Sequence, residues 1–266
     1  MRWPGLSFGI LIIFGILLLP TVIALKFNRQ IDLNWQLVLA VKQRNSGLVQ
    51  GLLDKGADAN SCEGNVPALS YGEAVQSLVN AQHFEAKRKG PTCLLLTLET
   101  SRYVGSSWFT VDPVDPDYRI VNLLLDHGAY MGAQGPDHEY PLIIACRDLR
   151  WPAAKALIDH GADVNARSSG FSPLLLTAFH TELHTSLMLL QRGAKPNVLD
   201  KSDGWSPLMW AISSHNTELV KALIRYGADV NLPASGDRVP NKPLAYARFL
   251  RWCPDIVSIL RKAGAS

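Results

Sequence analysis

The sequence is poor in cysteine and has none in a metal-binding arrangement. Cys62, Cys93, Cys146 and Cys253 are the only four in 266 residues and lie far apart, without the two-residue spacing that zinc sites use. If the chain is exported a disulfide is open to them, but no pair stands out, because sequence does not give connectivity. Cys146 sits among apolar residues, where a small buried thiol is ordinary. Excess charge is scarce too. The formal net charge is +3 and charged residues make up 18% of the chain, too little to imply a polyanionic partner. Lys87-Arg88-Lys89 is a basic run without interleaved aromatics, so it reads as solvated surface and not as a nucleic-acid site. There is no glycine-rich phosphate loop, no nucleophile elbow and no paired-carboxylate pattern. No cofactor and no small-molecule substrate is implied.

What the chain does have is a recurring phrase. It reads Leu52-Leu53-Asp54-Lys55-Gly56-Ala57-Asp58-Ala59-Asn60 and returns, more or less complete, around Gly128, Gly161, Gly193, Gly227 and Gly264. Those glycines are spaced by 72, 33, 32, 34 and 37 residues. A period near 33 is the mark of a stacked helical array. A second phrase precedes each tail: Tyr140-Pro141-Leu142, Ser172-Pro173-Leu174, Ser206-Pro207-Leu208 and Lys242-Pro243-Leu244, each 21 or 22 residues before its glycine. Trp35 to Ala40 is a weaker copy without the proline.

The chemistry of each phrase is self-consistent. Ser172 and Ser206 can cap a helix, and the proline after each suits the first helical position, which needs no amide hydrogen. A polar turn leads to a second helix such as Glu218 to Tyr226. Gly227 ends it, because the residue after a helix often takes a positive φ. Asp229 and Asn231 suit the turn to the next unit. Neither helix buries its face alone, so neighbouring units must stack.

The two phrases in register resemble the ankyrin repeat, with Thr-Pro-Leu-His near the front and Gly-Ala-Asp-Val-Asn at the back. The resemblance covers about residues 34–266. It implies an all-α solenoid of helix-turn-helix units with finger loops, in six repeats at about 34–60, 92–132, 139–165, 171–197, 205–231 and 241–266. One departure is consistent. The family's histidine position is Val38, Leu95, Ile143, Leu175, Met209 and Ala245 here, so apolar packing is expected to replace that histidine's polar link.

Two insertions interrupt the array, at 61–91 and 101–116. In the first, Tyr71, Val75, Leu78, Val79 and Gln82 follow helical spacing, and Lys87 to Lys89 close the segment. This predicts an amphipathic helix, either packed on the side of the array or offered to a partner. The second contains Trp108-Phe109 and the prolines at 113 and 116, which argue for a loop.

Ahead of the array, Leu6 to Leu25 is a 20-residue stretch without a charge, long enough to span a bilayer as a helix. Residues 1–25 therefore read as a retained single-pass anchor or as a signal peptide cleaved after Ala24, in which case the array is periplasmic or secreted. Lys26, Arg29, Lys42 and Arg44 outnumber Arg2, which favours a cytoplasmic array. The signal-like ending favours export.

His180-Thr181-Glu182-Leu183-His184 is the most metal-like cluster, since two histidines four apart can share a helix face. The order differs from the zinc-protease pattern, and the cluster falls where a repeat turns between its helices. His127 and His160, just before tail glycines, read as helix-end residues. In ankyrin arrays the fingers and first helices form a concave binding surface, so the resemblance places candidate partner contacts at Glu139, Phe171, Trp205 and Asn241. The aromatics among these either anchor a partner or pack on the neighbouring finger. The expected function is a protein-binding module, membrane-tethered or exported, acting as scaffold, adaptor or inhibitor without chemistry of its own. The alternatives are a metal or enzymatic site at His180, Glu182 and His184, and a self-assembling membrane protein.

Overall fold

The computed structural model describes residues 25–26, 28–62, 91–99, 116–135, 138–235 and 240–266. Residues 6–24 of the apolar stretch, the expected helix over 71–82 with Lys87 to Lys89, and Trp108-Phe109 lie outside the described residues. Among the described residues no helix is long and apolar enough to cross a membrane.

Helices come in pairs. The first repeat pairs a helix over 28–42 (α1) with Ser46–Asp54 (α2), and the second pairs Cys93–Glu99 (α3) with Pro116–Asp126 (α4). The third pairs Pro141–Arg147 (α5) with Trp151–Asp159 (α6), and the fourth Pro173–Phe179 (α7) with Leu183–Gln191 (α8). Pro207–Ser213 (α9) with Thr217–Arg225 (α10) and Pro243–Phe249 (α11) with Pro254–Lys262 (α12) complete the array. From α3 to α11 each first helix packs on the next first helix, and from α2 to α12 each second helix packs on the next second helix. The result is a two-layered solenoid with one continuous core from Leu37 to Leu260.

Local chemistry sets these boundaries. Ser172 and Ser206 each accept a bond at 3.3 Å, from the amides of Leu175 and Met209, and a proline opens the helix after each. At the other end all six tail glycines lie at φ +78 to +92. The following alanine amide reaches back to the carbonyl five residues earlier, as in Ala57 to Leu52 at 3.0 Å and Ala162 to Leu157 at 2.9 Å. This is the Schellman closure, and it explains why glycine and alanine recur together. Val38, Leu95, Ile143, Leu175 and Met209 are each 1% exposed, so apolar packing does replace the family's histidine there. Ala245, in the last repeat, is exposed.

The tail asparagine has a larger role than its own turn. Asn60 donates Nδ2 to the Gly128 carbonyl at 3.1 Å and accepts from the Tyr130 amide at 2.6 Å. Asn165 does the same with Gly193 and Lys195, Asn197 with Gly227 and Asp229, and Asn231 with Gly264 and Ser266. Each asparagine thus clips its repeat to the tail of the next. The corresponding residue of the second repeat is Gly132, and the clip to Gly161 is missing. At that joint Arg150, 8% exposed, donates Nη1 to the carbonyls of Thr97 at 2.7 Å and Leu98 at 3.0 Å. A cation here satisfies carbonyls that the end of α3 leaves without helical donors.

Candidate protein-binding groove

The finger between the third and fourth repeats is a tight turn. Ser168 and Phe171 exchange backbone bonds at 3.1 and 2.9 Å around Ser169 and Gly170, whose φ values are +51 and +92. That is the two-residue turn that matches strand twist. Fingers then touch one another. Arg167 donates to the Leu199 carbonyl at 2.9 Å, and the Ser235 amide donates to Gly204 at 3.2 Å. A Cβ on Gly204 would come within 2.6 Å of the Ser235 backbone nitrogen, so this approach requires glycine.

Asp200 organises the finger between the fourth and fifth repeats. It is 4% exposed. Its Oδ1 accepts from the amides of Asp203 at 2.7 Å and Gly204 at 3.0 Å, and from Ser202 Oγ at 3.1 Å. Its Oδ2 accepts from Trp210 Nε1 at 3.0 Å. One carboxylate therefore fixes the loop and orients the indole of the helix beneath it.

Between fingers and first helices of the third to fifth repeats lies a groove of about 500 Å³. Phe171, Phe179 and Trp210 supply apolar surface, with Glu139, Arg147 and Asp203 as its charged residues. Phe179 is 48% exposed and meets Trp210 edge-on, with centroids 4.7 Å apart. Arg147 is held by the Glu139 carboxylate and by Asp148, whose Oδ1 lies 2.9 Å from Nε. His180 packs edge-on against Phe179 at 4.8 Å, and burial lowers its pKa from the ordinary value.

The four candidate contacts are not equivalent. Glu139 and Phe171 line the groove. Trp205 is 4% exposed and lies between Trp210, at 4.6 Å, and Tyr246, at 5.1 Å. It is a packing residue of the finger, not an exposed anchor, because its ring joins Met209 and Ala234 in a small core of its own. Asn241 is exposed, away from the groove, and its carbonyl accepts from the Ala234 amide at 2.8 Å. Sequence reasoning missed Phe179 and Trp210. They stand six and three residues after the front-phrase prolines Pro173 and Pro207, where Arg147 and Leu176 also fall. Reading those two columns across the repeats would have found the groove.

The metal-like cluster is divided by a turn. His180 follows α7, Glu182 caps α8 by accepting from the Thr185 amide at 3.3 Å, and His184 is exposed on α8. Among the described residues no group of three histidine, cysteine or acidic side chains is placed to share a metal ion.

Comparison with known proteins places this geometry. The family model described as ankyrin repeats in three copies matches residues 114–200 and 180–266, together more than half of the chain. The ankyrin repeat protein nuc-2 of Neurospora crassa is 34% identical over 113 residues, 42% of this chain and 11% of its own length. Ankyrin repeat and SOCS box protein 6 of Homo sapiens is 36% identical over 132 residues, 46% of this chain and 31% of its own length. The chain thus spans a third or less of these relatives. Among solved structures, an ankyrin repeat domain from Acinetobacter baumannii superposes with a TM-score of 0.63 at 20% identity, covering 87% of this chain and 99% of that one. The ankyrin repeat domain of Bcl-3 gives 0.56 at 22% identity, covering 87% and 86%.

Proposed function

We propose that this chain, which belongs to the ankyrin-repeat family, binds a segment of another protein in the groove of its third to fifth repeats. The observation that carries the reading is the half-exposed Phe179 beside Trp210 at the base of a groove whose walls are held by internal hydrogen bonds. Half-exposed aromatics in a preformed concave site are the residues that dominate interface energies. Glu139 and Asp203 outnumber Arg147 among the charged lining residues, so the groove suits a neutral or basic segment with an apolar side chain. The protein acts as a scaffold, adaptor or inhibitor and carries out no reaction of its own.

Crosslinking in cells, with the full chain as bait, tests this. The wild type should yield a discrete crosslinked protein, and Phe179→Ala and Trp210→Ala should each weaken its capture by about tenfold or more, as hot-spot truncations do. Capture unaffected by both would move the binding surface elsewhere.

We place the array at a membrane, tethered by Leu6 to Leu25 or released after cleavage following Ala24. The length of the uncharged stretch supports this. Protease added to intact cells distinguishes the arrangements: a protected, membrane-bound C-terminal tag means a cytosolic array, and a digested or released tag means export. A soluble, protected, full-length product would refute the tether.

A further inference from the structure

Cys62 and Cys93 stand at the two ends of the longer insertion. Cys62 forms an isolated antiparallel bridge with Thr92, and the Cys93 amide donates to the Ser61 carbonyl at 3.0 Å. Opposed residues of such a bridge have Cα atoms about 4.5–5.5 Å apart. Cys93 is the next residue after Thr92, one step along the chain from that pair, and a disulfide spans Cα atoms about 4.4–6.8 Å apart. Both are buried, at 2% and 0% exposure. The Cys93 thiol also senses Cys62. It is pushed up to about 12, first by burial and then by the neighbouring Cys62. For Cys146 and Cys253 burial alone acts, with no second thiol nearby.

We infer that Cys62 and Cys93 are a disulfide pair that locks the neck of the 61–91 insertion when the chain folds under oxidising conditions. The two thiols give up two protons and two electrons. A small disulfide such as oxidised glutathione accepts them and leaves as two thiols. One cysteine thiolate first displaces a thiol to form a mixed disulfide. The other cysteine then attacks the protein sulfur of that disulfide, forming the Cys62–Cys93 bond as the second thiol departs. Both sulfurs are buried in the folded chain, so the exchange precedes packing of the neck. The lock is independent of the groove and of what binds there.

The test is to refold the full chain in detergent with reduced and oxidised glutathione, alkylate free thiols, and digest with trypsin without reduction. Trypsin cuts at Lys87, Arg88 and Lys89, between the two cysteines. The expected product is one species joining residues 56–87 to residues 90–102, which separates on reduction, with Cys146 and Cys253 alkylated. Alkylation of both Cys62 and Cys93, or a bond from either to Cys146 or Cys253, overturns the pairing. The oxidised wild type should also melt about 5–10 °C above the reduced form, as expected for closing a loop of this length. A Cys62→Ser/Cys93→Ser double variant should be indifferent to reductant. Equal melting of oxidised and reduced wild type overturns the locking role.

Discussion

The joint between the second and third repeats differs from the other joints by one side chain. Elsewhere an asparagine reaches from one tail to the next and makes a donor and an acceptor bond there, as Asn197 does with Gly227 and Asp229 at 3.0 and 2.8 Å. At the exceptional joint Gly132 stands in that column, and the buried Arg150 crosses the joint instead. Arg150 caps α3; His160 Nε2 also lies 3.1 Å from Asp126 there, just as His127 faces Asp54 at 3.9 Å and Arg192 faces Asp159 at 3.2 Å at the neighbouring joints. The same stacking is thus held in two ways: by neutral amide clips at four joints, and by a buried guanidinium at the joint that lacks one. The amide clips should be insensitive to pH and salt, whereas the exposed His160–Asp126 contact at the same joint should respond to both.

Breaking each kind of joint tests this contrast. The largest effect is expected for Arg150→Met, which keeps much of the stem but leaves buried carbonyls without a donor, at a cost of about 3 kcal/mol. Urea unfolding followed by circular dichroism would show it, and a loss below about 1 kcal/mol would mean the carbonyls find other donors. Asn197→Ala removes two inter-repeat bonds from a more exposed site and should cost about 2 kcal/mol in the same assay. Restoring the missing clip should work in the opposite direction. Gly132→Asn should raise stability by about 1 kcal/mol, once the exposed Tyr130 side chain, which crowds the new Cβ position, swings aside. A destabilised variant would show that the joint is built for glycine.

The smallest effect should be the pH dependence of His160. The Ala156 carbonyl, together with Asp126 and Asp159, raises its pKa above the ordinary 6.5. A raised value favours the protonated folded state. Its contribution is therefore complete below pH 6.5 and fades as pH rises through the raised value. The stability gap between wild type and His160→Gln should shrink across that window. A gap that is constant with pH would assign the contact to the neutral imidazole.

The fold was legible because its signals are periodic. The tail glycines and front prolines report helix ends directly, through φ and a missing amide hydrogen. The asparagines were visible, but their partners were not, since Asn60 and Gly128 are 68 residues apart and only stacking brings them together. Arg150 gave no signal, because it repeats nowhere. The groove was half legible. Finger position pointed to Glu139 and Phe171, which line the groove, but could not choose between the anchor and packed readings of Trp205, because a finger aromatic reads the same either way. The turns between paired helices hid as well, with Arg44, Leu149, Thr181, His215 and Arg251 at φ +54 to +61 without glycine.

The bond between Trp210 and Asp200 gives the groove an optical signal of its own. The indole is fixed by its nitrogen and partly open to solvent, so an occupant that displaces water from its face should shift its emission without moving the ring. The chain has seven tryptophans. The difference spectrum between wild type and Trp210→Phe would isolate this one, and occupancy could then be followed by titration with no label attached.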